Sequence, residues 1–101
     1  MTRPAPFPFA ELIARAARLA RTAQRDALKA HRANNPAGVK RALARAHRHA
    51  ITAQVLYNAT PIDHPHRARA LTQSNLAAAA YAAALSLNTP HPAPLSVEQE
   101  P

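Results

Sequence analysis

The sequence HRANNPAGV, residues 31–39, is predicted to end one helix and begin the next, and the topology of the chain follows from this turn. Asn34 and Asn35 tolerate the left-handed conformation that closes a helix, and Pro36 disfavours helical geometry at the residue before it. The same stretch can begin a second helix, with Asn35 as the N-cap and Pro36 at the first helical position. So short a connection forces the two helices to lie antiparallel, as an αα-hairpin.

Upstream of this turn, the sequence predicts a first helix over residues 9–33, because apolar and basic residues separate onto two faces at 100° per residue. Residues 1–8 hold three prolines and are interpreted as an extended arm. The predicted buried face consists of Phe9, Leu12, Ile13, Ala16, Leu19, Ala20, Ala23, Ala27 and Ala30. The opposite face carries the cations Arg15, Arg18, Arg21, Arg25, Lys29 and Arg32.

Downstream of the turn, a second helix is predicted over residues 36–58. Its buried face is formed by Val39, Ala42, Leu43, Ala46, Ala50, Ala53 and Tyr57. Its outer side begins basic, with Arg41, Arg45 and Arg48, and then becomes apolar, with Ile51, Val55 and Leu56. A helix that is apolar on two sides needs cover on both, so we expect a further helix or a partner against it.

A third, alanine-rich helix is predicted over residues 64–87, with Asp63 as its N-cap and Pro65 in its first turn. It is apolar nearly all round from Leu76 onward, which is typical of a buried helix. The proline-rich residues 88–101 are interpreted as a flexible tail. The predicted fold is therefore all-α, with a single three-helix up-down domain over residues 9–87.

The turn before the third helix matches a D-H-P-x-x-A pattern, and an apolar helix with a tyrosine follows it. The matching positions are Asp63, His64, Pro65 and Ala68 in the turn, then Leu71, Asn75, Leu76, Ala77 and Tyr81. Over about residues 55–85, the chain resembles tetratricopeptide repeats of the kinesin-light-chain type. The resemblance implies that the second and third helices pack as a repeat-like pair with a protein-interaction surface. The same residues also fit a purely local explanation, an Asp cap and a first-turn proline.

Several function classes are excluded by what the 101 residues lack. The chain has no cysteine, which excludes disulfides and thiolate chemistry. It has no apolar run of about 20 residues, the length that a membrane-spanning helix needs. Its N-terminus lacks the compact apolar segment of a secretory signal. These absences predict a cytoplasmic protein without a membrane span.

Metal binding and catalysis find little support among the six histidines and five acidic residues. His47 and His49 point about 200° apart on a helix, so they cannot share a metal. His64 and His66 could converge beside Asp63, but a zinc site needs three or four ligands. The acids are scattered, and one glycine cannot form a phosphate-binding loop. We therefore predict no metal, no cofactor and no enzymatic activity.

The strongest chemical signal is a one-sided positive charge. The chain carries a net charge of +8, and residues 12–62 hold ten Lys and Arg but one acid, Asp26. A solvated face normally mixes both signs, so a single-sign stripe favours an anionic partner. Nucleic acid is the commonest such partner, and the scarcity of aromatics favours sequence-independent contacts with phosphates. The predicted polyanion-binding residues are Arg15, Arg18, Arg21, Arg25, Lys29, Arg32, Arg41, Arg45 and Arg48.

Other interpretations stay open at this stage. Arginine outnumbers lysine 11 to 2, which genome composition alone can produce, and a basic amphipathic helix can also lie on a membrane surface. A second hypothesis is a protein-interaction or scaffold module that uses the apolar faces. Because the predicted core is thin, we also expect a homo-oligomer. The residues predicted to contact a partner or a second copy are Ile51, Val55, Leu56, Leu76, Tyr81 and Leu85.

Overall fold

The computed structural model describes residues 9–88, so the predicted N-terminal arm and the tail from residue 89 lie outside the described residues. Three helices follow one another: α1 (Phe9–Arg32), α2 (Pro36–Asn58) and α3 (Arg67–Asn88). Each packs against the other two, and the described residues contain no strand. The predicted all-α, three-helix fold is confirmed.

Contacts across the two turns show that neighbouring helices run antiparallel. Asp26 on α1 pairs with Arg45 on α2, and the two lie nearly equidistant along the chain from the first turn. His47 on α2 contacts Tyr81 on α3, and these two residues also lie at similar distances along the chain from the second turn. The arrangement is the up-down hairpin that the short first connection requires.

The turn between α1 and α2 closes one helix and caps the next. Asn34 has a φ of 60°, the left-handed conformation expected at a helix C-terminus. The Asn35 N–H donates to the carbonyl of Ala30 at 2.8 Å, the long bond of a Schellman motif. The Asn35 side chain then accepts the Gly38 N–H at 3.0 Å, and Pro36 stands at the start of α2. Both roles predicted for the two asparagines are confirmed.

Gly38, the one glycine in the chain, stands where the first turn of α2 meets α1. A Cβ at this position would lie 3.0 Å from the Cβ of Ala30 and 2.7 Å from Nδ2 of Asn35. The absence of a side chain therefore lets the two helices approach closely and leaves the Asn35 cap undisturbed.

The core is built almost entirely from alanine. The buried apolar residues among those described are Ile13 and Val39 with twelve alanines, at positions 16, 17, 20, 23, 27, 42, 46, 53, 70, 77, 80 and 84. Methyl side chains let helices pack at the short end of the usual interaxial distances. Each alanine buries little area, so close approach has to replace side-chain bulk in holding the fold together.

The large apolar side chains lie at the edges of this core. Leu12 is 48% exposed and Leu19 is 38% exposed, although the α1 periodicity places both on its buried face. On α3 the buried residues include Ala70, Ala77 and Ala84, whereas Leu71 faces solvent. The expectation of a third helix buried on all sides is therefore wrong. Alanines fill most of the closest contacts between the helices, and Leu43, Leu56 and Leu87 pack only partly buried against them.

The third helix begins at Arg67, three residues later than predicted, and Asp63 lies exposed in the preceding turn. Pro65 explains the shift, because a proline disfavours helical geometry at the residue before it, here His64. The His64 ring takes part in the turn instead, since its Nδ1 accepts the His66 N–H at 3.1 Å. Asp63 is therefore not the cap of α3.

Arg67 holds the connection between α2 and α3. Its Nη1 donates to the carbonyl of Thr60 at 2.6 Å, and its guanidinium lies 4.5 Å from the centroid of the Tyr57 ring. Thr60 is buried, and its hydroxyl donates to the carbonyl of Leu56 at 3.0 Å. One of the thirteen cations therefore has a structural role.

Replacing Arg67 by alanine is expected to lower the free energy of unfolding by about 2 kcal/mol, because a charge-assisted hydrogen bond and a cation–π contact are lost together. Urea unfolding followed by circular dichroism measures the change. Arg69→Ala is the matched control, since Arg69 is an exposed cation on the same helix turn. Equal loss in the two variants would contradict the structural role of Arg67.

Candidate nucleic-acid interface

The predicted cations of α1 and α2 lie on one side of the molecule. On α1 they lie opposite Ala20, which is fully buried. On α2 the stripe turns toward α1, because Arg45 pairs with Asp26, and Arg41 and Arg48 lie one turn before and after it. We call this surface the basic face. It comprises Arg15, Arg18, Arg21, Arg25, Lys29, Arg32, Arg41, Arg45 and Arg48.

The basic face is long enough to follow a nucleic-acid backbone. Arg15 and Arg32 mark its ends on α1. At a rise of 1.5 Å per residue these two positions are separated by about 26 Å along the helix. Duplex DNA presents one negative charge per about 1.7 Å of its axis, so the face spans roughly seven to eight base pairs.

Internal neutralisation of this face is slight. Asp26 binds Nη1 of Arg45 at 3.1 Å, and Arg45 is the only half-buried cation of the nine. The other eight are exposed and form no ion pair with a carboxylate of residues 9–88. Arg25 makes one long hydrogen bond, 3.4 Å, to the hydroxyl of Thr22. Most of the positive charge is therefore available to an external anion.

The pKa of His49 is affected by these positive charges. It is half-buried beside the basic face, and burial lowers its pKa from the ordinary 6.5, with the charges of Arg48, Arg45 and Arg15 adding to the effect. These arginines belong to both helices of the hairpin. Their effect on His49 is an electrostatic sign that the two rows of cations act on the same region.

The lowered pKa of His49 predicts a pH dependence of stability. In the unfolded chain His49 takes up a proton near pH 6.5, whereas the folded chain resists it, so acidification through this range favours unfolding. In His49→Gln this contribution is absent. Lowering the pH from 8 to 5.5 should therefore reduce the free energy of unfolding more in the wild type than in His49→Gln. Urea unfolding at both pH values measures it, and parallel pH profiles would contradict the assignment.

Lys40 and Arg69 are exposed cations that do not belong to the predicted set. Lys40 is exposed next to Arg41, and Arg69 is exposed on α3. Neither follows the three- and four-residue spacing that marks the basic face. The spacing therefore separates the nine cations of the basic face from Lys40 and Arg69.

The residues predicted to contact a partner divide into two groups. Ile51 is 49% exposed and Val55 is 58% exposed, and Leu76 and Leu85 also face solvent. Leu56 packs against the alanine core, and the Tyr81 ring lies 4.8 Å from that of His47, so both act within the chain.

The exposed apolar residues form a second surface along the seam between α2 and α3. His47 and Tyr81 meet across this seam. Ile51 lies one turn further along α2 and Leu85 one turn further along α3, in opposite directions along the seam because the two helices are antiparallel. No charged residue occurs on α3 between Ala70 and Asn88. We call this surface the apolar outer face and define it by Ile51, Val55, Leu71 and Leu85.

Within residues 9–88, no group of three or more His, Cys, Asp or Glu side chains is arranged to hold a metal ion. The rings of His64 and His66 do lie close, with centroids 5.5 Å apart. No helix in this part of the chain combines the length and hydrophobicity needed to cross a membrane. Comparison with protein-family models, curated proteins and solved structures finds no match. The basic face and the apolar outer face are therefore the two features of this chain that indicate a function.

Proposed function

We propose that this protein is a small, non-enzymatic helical protein of the cytoplasm that binds nucleic acid through the basic face. The main support for this proposal is that eight cations of the basic face are exposed and form no ion pair with a carboxylate among the described residues. Holding so many like charges together costs self-repulsion, which a polyanion relieves. Arginine predominates, and its planar guanidinium suits bidentate contacts with phosphate.

A duplex backbone fits this face better than single-stranded bases. Stacking of unpaired bases needs aromatic side chains, and the chain has four, of which Tyr57 and Tyr81 already contact Arg67 and His47 within the chain. Phosphate contacts carry no direct sequence information. The expected binding mode is therefore largely independent of sequence.

Fluorescence anisotropy with two labelled DNA duplexes of unrelated sequence tests the proposal. At about 50 mM salt we expect both to bind with dissociation constants of about 1–100 µM, in the range of non-specific binding. The two constants should agree within about threefold, because the contacts are to phosphates. Absence of binding, or a strong preference for one sequence, would contradict the proposal.

A second candidate function is protein interaction through the apolar outer face, with a second copy of this chain as the partner. The observation that favours it is the exposure of large apolar side chains beside an alanine core. The chain is strongly basic, and the outer side of α3 is a place where two copies can meet without facing like charges. The resemblance of residues 55–85 to tetratricopeptide repeats also favours an interaction surface.

Sedimentation equilibrium tests the second candidate. At about 50 µM protein we expect twice the 10.9 kDa chain mass, and the single-chain mass in Ile51→Gln/Leu85→Gln. Circular dichroism checks that the variant is folded, and the basic face is untouched by these changes. A monomeric mass for the wild type would contradict self-association.

A further inference from the structure

An open cleft of about 350 Å³ lies between the last turns of α1 and the first turns of α2. Three cations of the basic face line it: Lys29 from α1, and Arg41 and Arg45 from α2. Asp26 also lines the cleft, which leaves a net of two positive charges around one cavity. A second pocket on α1 is lined by Arg15 and Arg18 with Glu11, which leaves a net of one positive charge there.

The Asp26–Arg45 ion pair orients one of these cations, with the Arg45 side chain 43% and the Asp26 side chain 45% exposed. Arg45 uses Nη1 for this bond, at 3.1 Å. A guanidinium carries five N–H donors in a rigid fork, so an anchored arginine retains donors for another acceptor. Its position is set in advance, which lowers the entropy lost when an anion binds.

Side chains, rather than the end of helix α2, supply the donors of this cleft. The Gly38 N–H already donates to the side chain of Asn35 at 3.0 Å, and the Val39 N–H donates to the Asn35 carbonyl at 3.1 Å. Gly38 contributes in a different way, because it lines the cleft without a side chain to fill it.

We propose that this cleft is the anchoring site of the basic face and holds one phosphate group of the bound nucleic acid, an inference that rests on the proposed function. A phosphate presents acceptor oxygens in several directions, which matches cations on both walls of a cleft. Arg41 and Arg45 favour bidentate contacts, while Lys29 acts as a point charge. The remaining cations hold neighbouring phosphates more weakly.

Duplex affinity in two matched double variants tests the anchoring role. Lys29→Ala/Arg41→Ala removes two cations of the cleft, and Arg18→Ala/Arg25→Ala removes two exposed cations outside it. Both variants lose two charges, so a general electrostatic effect is the same in each. We expect an additional loss of about tenfold in affinity for the cleft variant, corresponding to one strong charge-assisted contact. Equal losses would overturn the anchoring role.

Inorganic phosphate tests the cleft without any variant or nucleic acid. In ¹H–¹⁵N spectra of the full chain at constant ionic strength, we expect saturating shifts at the amides of Lys29, Gly38, Arg41 and Arg45. Arg18→Ala/Arg25→Ala should retain these shifts, and Lys29→Ala/Arg41→Ala should lose them. Shifts that grow linearly along the whole basic face would overturn the cleft as a phosphate site.

The two measurements separate failure of the cleft from failure of the proposed function. If duplex DNA does not bind but phosphate saturates at the cleft, nucleic-acid binding is wrong and the cleft serves a free phosphate compound. If duplex DNA binds with equal losses in both double variants and phosphate shows no saturation, the basic face stands and the anchoring site is wrong.

Discussion

Replacing Arg18, Arg25 and Lys29 together by glutamate is expected to abolish duplex binding, with a loss in affinity of at least about 100-fold at low salt. The three side chains lie in the middle of the basic face on α1, and all are exposed. Reversal removes three cations and adds three anions that repel phosphates. The net charge of the chain falls from +8 to +2.

The fold should survive this charge reversal. Each new glutamate lies three or four residues from a remaining arginine, a spacing that stabilises helices by a few tenths of a kcal/mol. Arg69→Glu on α3 is the control for a change in charge outside the basic face. Circular dichroism checks helicity, and anisotropy measures affinity. A triple variant that binds duplex DNA within threefold of the wild type would contradict the assignment of this face.

Replacing Ala46 by leucine is expected to lower the midpoint of thermal unfolding by about 5–20 °C. Ala46 is 0% exposed and packs with Ala23, Ala27 and Ala42 between α1 and α2. The larger side chain forces these closely approaching helices apart, and overpacking of this kind costs about 1–3 kcal/mol or more. A small core made mainly of alanine leaves little margin against such a loss.

Ala44→Leu is the matched control, because Ala44 is exposed on the same helix two residues earlier. Leucine and alanine are both strong helix formers, so the control should keep its helicity and its unfolding midpoint. Thermal unfolding followed by circular dichroism compares the two variants. An Ala46→Leu variant with a cooperative transition at the wild-type temperature would show that the α1–α2 interface is not closely packed.

Local chemistry made the hairpin predictable from the sequence. Pro36 restricts the backbone before it, so Asn34 and Asn35 have few conformations to choose from. Asn34 closes α1 in the left-handed conformation, and Asn35 is the N-cap of α2, as expected. The basic face could be predicted because its cations are spaced three or four residues apart within each helix. This spacing places them on one side of a helix whatever the neighbouring helices do. Features that a single helix determines can be derived from its residues.

Features that depend on the packing of three helices could not be derived in this way. In α3, alanines occur on every side, so the sequence carries no signal for the buried face or for the exposure of Leu71. The cleft exists because Lys29 on α1 and Arg41 on α2 line the same cavity. In the sequence, each is only one cation in the row along its own helix. Arg67 likewise shows its structural role only once Tyr57 and Thr60 are in place.

The salt dependence of duplex binding shows how many cations of the basic face contact phosphates. Each phosphate contact contributes a slope of about −0.9 to the logarithm of affinity against the logarithm of salt concentration. Contacts by five to nine cations of the basic face therefore predict a slope between about −4.5 and −8. A slope near zero, or no binding even at low salt, would show that the exposed cations do not contact nucleic acid and would contradict the account.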